Sequence, residues 1–366
     1  MKTKILVIVA LSAIFLLGSV PGCLATDRYV NQDGTCSGNL PCYTTIQAAV
    51  NAASAGDTIY VAAGTYNENV NIPAGRTGLQ LIGEGKEITI IAGVSQETIK
   101  ARSAVTIQGF NIKSGGSTKG IRIYDTADGT EANPGIIRDN KIEGFTGAAC
   151  YGVGFATQPA QVEWWSIMNN EFCNDRTGIY FEDACHILVS ENTFTECYVG
   201  CGGVAGNGNQ IVWNTFAGYT GGSSDCHAIG FCAEKPTNLN ITNNIITGYD
   251  YGIRVFDCSG GVDCSVQVHC NNLLDNCVYD IENLNNDSYL DATNNWWGDA
   301  SGPISPNPGN SVSDYVTYDP WLPTPFQECP ECGGIKAPAI STLGVVSLIG
   351  LLSVVLAVAI ILRKRE

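Results

Sequence analysis

Ile167-Met-Asn-Asn170-Glu-Phe172, Val189-Ser-Glu-Asn192-Thr-Phe194 and Ile211-Val-Trp-Asn214-Thr-Phe216 are one short phrase written three times, 22 residues apart. It recurs as Ile137-Arg-Asp-Asn140-Lys-Ile142, Ile241-Thr-Asn-Asn244-Ile-Ile246, Val268-His-Cys-Asn271-Asn-Leu273 and Ala292-Thr-Asn-Asn295-Trp-Trp297. An earlier copy, Ile107-Gln-Gly-Phe110-Asn-Ile112, carries Phe where the others carry Asn. The positions three before and two after the Asn are apolar in every copy. Up to the Asn the apolar period is two, which is a strand; across the Asn the alternation breaks, which is a bend. Strand, bend and strand recurring at this period predict the coil of a parallel β-helix, with longer spacings marking inserted loops. Roughly ten coils fit the chain.

Asn140, Asn170, Asn192, Asn214, Asn244, Asn271 and Asn295 are expected to stack as a buried ladder, each amide bonded to those above and below. A buried amide lacking such partners costs about 1–3 kcal/mol. A second strand set starts at Gly120-Ile121-Arg-Ile-Tyr-Asp125, Gly178-Ile179-Tyr-Phe-Glu-Asp183 and Gly252-Ile253-Arg-Val-Phe-Asp257. With the Ile positions inward, Arg122, Tyr124, Tyr180, Glu182, Arg254 and Phe256 project outward and form the candidate functional face.

Composition agrees with one long solenoid rather than two globular domains. Of 366 residues only 15% are charged and 42 are Gly, and 35 acids against 19 bases leave a net charge of −16. That balance excludes a basic nucleic-acid surface. Residues 1–25, with Lys2 and Lys4 before an apolar run from Ile5 to Leu17, read as a secretory signal peptide. Residues 337–362 are uncharged and end at Arg363-Lys364-Arg365, the pattern of a membrane-spanning helix with a short cytoplasmic tail, 363–366. The β-helix is assigned to 26–321 and a Pro- and Cys-containing stalk to 322–336. Thr44 to Ala53 is expected to form a short helix covering the first coil, and Asn294 to Pro303 to begin closing the last. Export favours disulfides: Cys36 with Cys42, Cys226 with Cys232, Cys258 with Cys264 and Cys329 with Cys332 read as local pairs pinning loops.

Thr45-Ile-Gln-Ala-Ala-Val-Asn-Ala-Ala-Ser-Ala-Gly-Asp-Thr-Ile-Tyr-Val-Ala-Ala-Gly-Thr-Tyr-Asn-Glu-Asn-Val70 resembles the opening of pectin-lyase-like β-helix proteins, and the Asn294-Asn-Trp-Trp-Gly-Asp299 segment resembles the closing motif of archaeal surface β-helix proteins. The resemblance implies an all-β fold, a right-handed three-sheet parallel β-helix. It does not fix an activity, because this fold hosts many. The Gly-His-Gly and Arg-Ile-Lys segments of its hydrolases, the Trp-Ile-Asp-His of pectate lyases and the Asp-Phe-Ile-Phe-Gly of pectin methylesterases do not occur.

Candidate acids for catalysis are therefore Asp125, Glu182 and Asp183. Candidates for ligand contact are Arg122, Tyr124, Tyr180, Arg254, Asp257 and the outward indoles Trp164 and Trp213. Asn240 and Asn286 begin Asn-x-Ser/Thr sequons. Each of the three His adjoins a Cys, but their different places in the coil argue against a shared metal, and no cofactor is expected beyond a structural or bridging divalent cation such as calcium. The sequence favours a membrane-anchored surface module, structural, adhesive or glycan-binding, whose partners are extracellular glycans or envelope components. The alternative is a polysaccharide lyase or glycoside hydrolase.

Overall fold

The structure, a computed structural model, describes residues 25–124, 126–156, 161–222, 225–232, 238–256, 266–286, 288–303, 312–328 and 332. The signal segment, the apolar segment 337–362 and the tail 363–366 lie outside these residues. Among the described residues no helix is long and apolar enough to cross a membrane.

The chain winds as a right-handed parallel β-solenoid with three sheets. Sheet 1 holds the strands before the ladder Asn: Gly135–Arg138, Glu163–Met168, the second part of Thr177–Ser190, Gln210–Val212, Leu239–Thr242 and Val266–His269 among them. Their register puts Ile137, Ile167, Val189, Ile211, Ile241 and Val268 in one inward column. Sheet 2 holds the strands after the Asn, and its nine members give about nine coils where the repeat alone suggested ten. Phe172, Phe194 and Phe216 stack inside it with centroids 4.7 and 4.5 Å apart, a geometry worth about 0.5–1.5 kcal/mol per pair beyond burial. A Cβ on Gly178 would stand 2.8 Å from the Phe194 ring, so the coil before each Phe needs a residue without a side chain there. Sheet 3 holds the second strand set, including Glu97–Ala101, Lys119–Tyr124, Tyr151–Ala156, the first part of Thr177–Ser190, Val199–Ala205, His227–Cys232, Tyr251–Phe256 and Tyr279–Asn283.

The ladder forms as a continuous file. Each Asn side chain from Asn140 to Asn271 donates to the Oδ1 of the next, at 3.0–3.1 Å, ending on Asn295. Each also donates to a main-chain carbonyl of the coil before it, as Asn192 does to Ile167 O at 2.8 Å. The bends are left-handed. The residue before the ladder Asn has positive φ at Asp139, Asn169, Glu191, Trp213, Asn243, Cys270 and Asn294. A second row, at the entry to sheet 1, has it at Trp164, His186, Gly208 and Asn238. Such φ is costly for most residues and persists here because coils on both sides enforce it.

Helix Ile46–Ala52 covers the N-terminal end, with the Thr45 side chain accepting from Ala48 N at 3.2 Å. The Glu68 carboxylate accepts from Ile46 N and Gln47 N, both at 2.9 Å, satisfying two donors of the first turn. An additional strand, Asp27–Val30, pairs in parallel with Thr58–Val61, and Arg28 bonds the buried Asp57 at 2.8 Å. At the other end Val316–Thr317 pairs with Leu290–Asp291.

The residues assigned to a stalk begin on the solenoid instead. Leu322, Phe326 and Cys332 are buried against Trp213, Ile245, Cys270 and Trp296, Phe326 N donates to Asn272 Oδ1 at 3.0 Å, and Cys332 is disulfide-bonded to Cys270. Cys332 is thus not paired with Cys329, which lies outside the described residues, as do Cys258 and Cys264. Cys36 and Cys42 are bonded to each other. Cys226 is a buried free thiol, not a partner of Cys232. Cys226 precedes and Cys232 ends the extended strand His227–Cys232, which separates their Cα atoms by roughly 20 Å, whereas a disulfide tolerates about 7 Å.

Candidate functional site

The outward face of sheet 3 gathers residues that the sequence distributes over six coils. In register across it lie Arg122, Gly154, Tyr180, Gly202, Gly230 and Arg254, a row roughly 24 Å long at ~4.8 Å per strand. Its middle is cleared by glycines. A Cβ on Gly154 would meet the Tyr151 ring at 2.2 Å and one on Gly230 the His227 ring at 2.1 Å, so both rings lie flat across the strand.

At one end Arg122 donates to the Tyr151 hydroxyl at 2.8 Å and stands 4.0 Å from the Glu182 carboxylate. The Tyr151 ring stacks on Tyr180 at 5.6 Å. Tyr124 donates to Glu97 at 3.0 Å and lies under three cations, with Arg102, Lys100 and Arg122 at 4.3, 5.3 and 5.4 Å from its ring. Lys119 sits 5.7 Å from the Tyr151 ring. Four cations thus converge around two phenols on a chain whose net charge is −16. Burial pushes the Tyr151 and Tyr180 phenols above their ordinary pKa, and the Glu182 charge adds to the shift in both. Burial and the hydrogen bond to Glu97 do the same for Tyr124. All three remain protonated donors at neutral pH.

At the other end Arg254 pairs with Asp225 and Glu282 and stacks on Tyr251 at 4.1 Å. Burial opposes the Arg254 charge, but the hydrogen bond to Asp225 and the charge of Glu282 outweigh it and hold its pKa above the ordinary value. His227 is buried and lowered to about 4 by desolvation, so its ring is neutral at pH 7. It rests edge-on against Phe256 at 5.6 Å.

Of the residues singled out by sequence, the structure brings Arg122, Tyr124, Tyr180 and Glu182 together and sets Arg254 at the far end of the same face. Asp183 does not join them. It is exposed at positive φ where the pairing of sheet 3 shifts register, so its carboxylate turns off the face that holds Glu182. Asp125 and Asp257 lie outside the described residues. Trp164 and Trp213 belong to sheet 1, on its two bend rows. Asn240 is half-buried in the middle of strand Leu239–Thr242, unlike a loop acceptor for glycosylation, whereas Asn286 is exposed. Tyr151, Lys100, Arg102 and Lys119 were not anticipated. Tyr151 precedes Gly152-Val-Gly-Phe155, which matches the inward pattern of the second strand set but lacks its closing Asp. Among the described residues no three His, Cys, Asp or Glu converge as a metal site.

A family model described as Pectinesterase matches residues 27–134. No curated protein sequence matches the chain. Among solved structures, an alginate lyase from Paenibacillus sp. str. FPU-7 is similar over 80% of this chain and 99% of its own, with a TM-score of 0.53 and 18% identity. Pectin methylesterase PemA from Erwinia chrysanthemi aligns over 82% of this chain and 98% of its own, at TM-score 0.38 and 13% identity. The catalytic unit of an α-1,3-glucanase from Streptomyces thermodiastaticus strain HF3-3 aligns over 75% and 65%, at TM-score 0.35 and 11% identity.

Proposed function

Because the chain is a pectin-lyase-like parallel β-helix protein, we propose that it is a carbohydrate-active protein that takes an acidic polysaccharide along the outer face of sheet 3. The observation that carries this reading is Arg122, held by the Tyr151 hydroxyl at 2.8 Å among Lys100, Arg102 and Lys119 on an otherwise anionic molecule. A guanidinium fixed in this way presents its remaining donors to a carboxylate. The part-exposed ring of Tyr180, backed by the buried Tyr151 ring stacked on it, suits the flat side of a sugar ring. The alginate lyase structure and the pectinesterase model supply a consistent context, since alginate and pectin are uronate polymers.

The reaction class that fits is β-elimination. Arg122 neutralises the uronate carboxylate, which acidifies the neighbouring ring C–H. Glu182 accepts that proton, the electron pair forms the ring C=C bond, and the glycosidic C–O bond to the leaving sugar breaks. A protonated phenol, Tyr180, supplies the leaving oxygen with its proton. Asp183, the carboxylate next to Glu182 in sequence, turns off this face and does not pair with it as a second catalytic acid. We place the site outside the cell, on the reading of residues 1–25 as an export signal and of 337–362 as an anchor. Incubation with alginate and polygalacturonate, followed by the ultraviolet absorbance of unsaturated products, tests the reading. Binding with no unsaturated product would leave the surface-displayed binding module as the function; neither binding nor product would refute both.

A further inference from the structure

Sheet 1 carries a groove of about 480 Å³ on its outer face, away from the site above, within the size of small-molecule sites, ~300–1,000 Å³. Its rims are the two left-handed bend rows. Trp164 and His186 stand on one, rings parallel at 4.3 Å and 4°, and Trp213 and Asn243 stand on the other. At Gly208, the next place in the first row, a Cβ would meet the His186 ring at 2.9 Å, so the missing side chain leaves room for it. Asn240 lies between the rims.

Three polar atoms of these residues are enclosed and have no hydrogen-bond partner: His186 Nδ1, Asn240 Oδ1 and Asn243 Nδ2. Asn243 is 9% exposed, and the nearest carboxylate oxygen to His186 Nδ1, on Glu163, stands off at 3.8 Å. An enclosed polar atom without a partner costs about 1–3 kcal/mol, which a ligand that supplies the partner recovers. An acceptor on Asn240 and a donor on Asn243, lining the same groove as the Trp164 and Trp213 indoles, match a sugar hydroxyl, which donates and accepts. Among the described residues the lining has no Lys or Arg and one carboxylate, Glu131, so these residues offer nothing to neutralise a uronate.

Trp213 is held from behind. Phe326 meets its ring edge-on at 5.6 Å, and the Cys270–Cys332 disulfide fastens the segment that carries Phe326. We propose that this groove is a second carbohydrate site, specific for neutral pyranose units, with Trp213 as its stacking platform and Asn240 and Asn243 as its polar contacts. It stands independently of the reading given to sheet 3.

The test is calorimetric and fluorimetric titration of the exported protein with cellohexaose, mannohexaose and laminarihexaose, with trigalacturonate as the acidic comparison. At least one neutral oligosaccharide is expected to bind with a change in tryptophan emission. Trp213→Ala and, separately, Asn240→Ala, which touches neither the disulfide-held segment nor the core, should each weaken it at least tenfold with the melting temperature of the Asn240 variant unchanged. No neutral binding at millimolar sugar, or binding that survives both substitutions, overturns the proposal. So does an intact mass showing a covalent glycan on Asn240, because the groove would then be filled by the protein's own modification.

Discussion

Arg122 and Tyr151 sit on neighbouring strands of sheet 3, and the 2.8 Å bond between guanidinium and phenol fixes where a carboxylate can be held. Arg122→Lys keeps the charge and loses the planar fork, while Arg122→Ala loses both. We expect affinity for polygalacturonate or alginate to fall about tenfold or more in the Ala variant, the loss of a charge-assisted contact of ~1.5–3 kcal/mol, with partial recovery in the Lys variant. Affinity electrophoresis in gels containing the polymer measures this. Equal retention of all three proteins would remove Arg122 from the site.

Tyr151→Phe tests positioning rather than charge. The ring and its stack on Tyr180 remain, but Arg122 loses its acceptor. Binding of the polymer should weaken several-fold and become more salt-sensitive as the guanidinium reverts to a mobile, screened charge. Titration at two ionic strengths distinguishes this from a merely structural tyrosine, whose loss would leave the salt dependence as it was.

Asn192→Leu preserves size and removes a rung. Asn170 loses the acceptor for both its main-chain N–H and its side chain, and Ile167 O and Asn214 Oδ1 lose a donor. With buried groups orphaned at about 1–3 kcal/mol each, destabilisation of roughly 3 kcal/mol or more is expected in chemical denaturation. A wild-type midpoint would mean that the ladder contributes no net stability.

Asp280 gives a pH signature. It is buried, its carboxyl takes one hydrogen bond from Asn276 at 2.7 Å, and desolvation raises its pKa to about 7. Between pH ~4 and ~7 the folded protein keeps a proton that the unfolded chain releases, so stability from this group falls as pH rises through that window. Asp280→Asn should remove the fall, gaining roughly 3–4 kcal/mol on wild type across it. His227, lowered to about 4 by burial, acts in the opposite sense below pH 6.5, so the comparison is made between variant and wild type at each pH. Parallel stability curves would contradict the assignment.

Reduction should release the C-terminal segment before the coils unfold. The Cys270–Cys332 bridge closes 62 residues of chain, worth about 4 kcal/mol in the chain-entropy account. A reducing agent should lower the melting temperature, and the Trp213 environment should change in fluorescence as Phe326 leaves it. Unchanged emission would show that the segment holds its place without the bond.

The repeat was legible because its Asn and apolar positions recur at fixed offsets, and every ladder Asn fell where the spacing put it. The sheet 3 face was legible for Arg122, Tyr180 and Glu182, since alternation sets which side chains leave the core. Asp183 escaped that parity because the register shifts just there. The Cys270–Cys332 bond was hidden because spacing favours near neighbours, and here a segment folds back over 62 residues. The meeting of Trp164, His186, Asn240 and Asn243 was hidden for another reason. Three come from bends, and a left-handed bend turns its side chain where strand alternation does not predict.

The stack of Phe172, Phe194 and Phe216, with glycine admitting each ring, makes one coil nearly interchangeable with the next. A block of 22 residues from Asn170 to Glu191 could be excised, and Asn192 would inherit the place of Asn170 in the file. Length in this architecture can therefore drift by whole coils without loss of the fold. The sheet 1 groove cannot drift with it, because Trp164, His186, Trp213 and Asn243 come from four successive coils. A descendant shortened by one coil would remain a sound solenoid and lose the groove, so coil number is a heritable determinant of what the surface can hold.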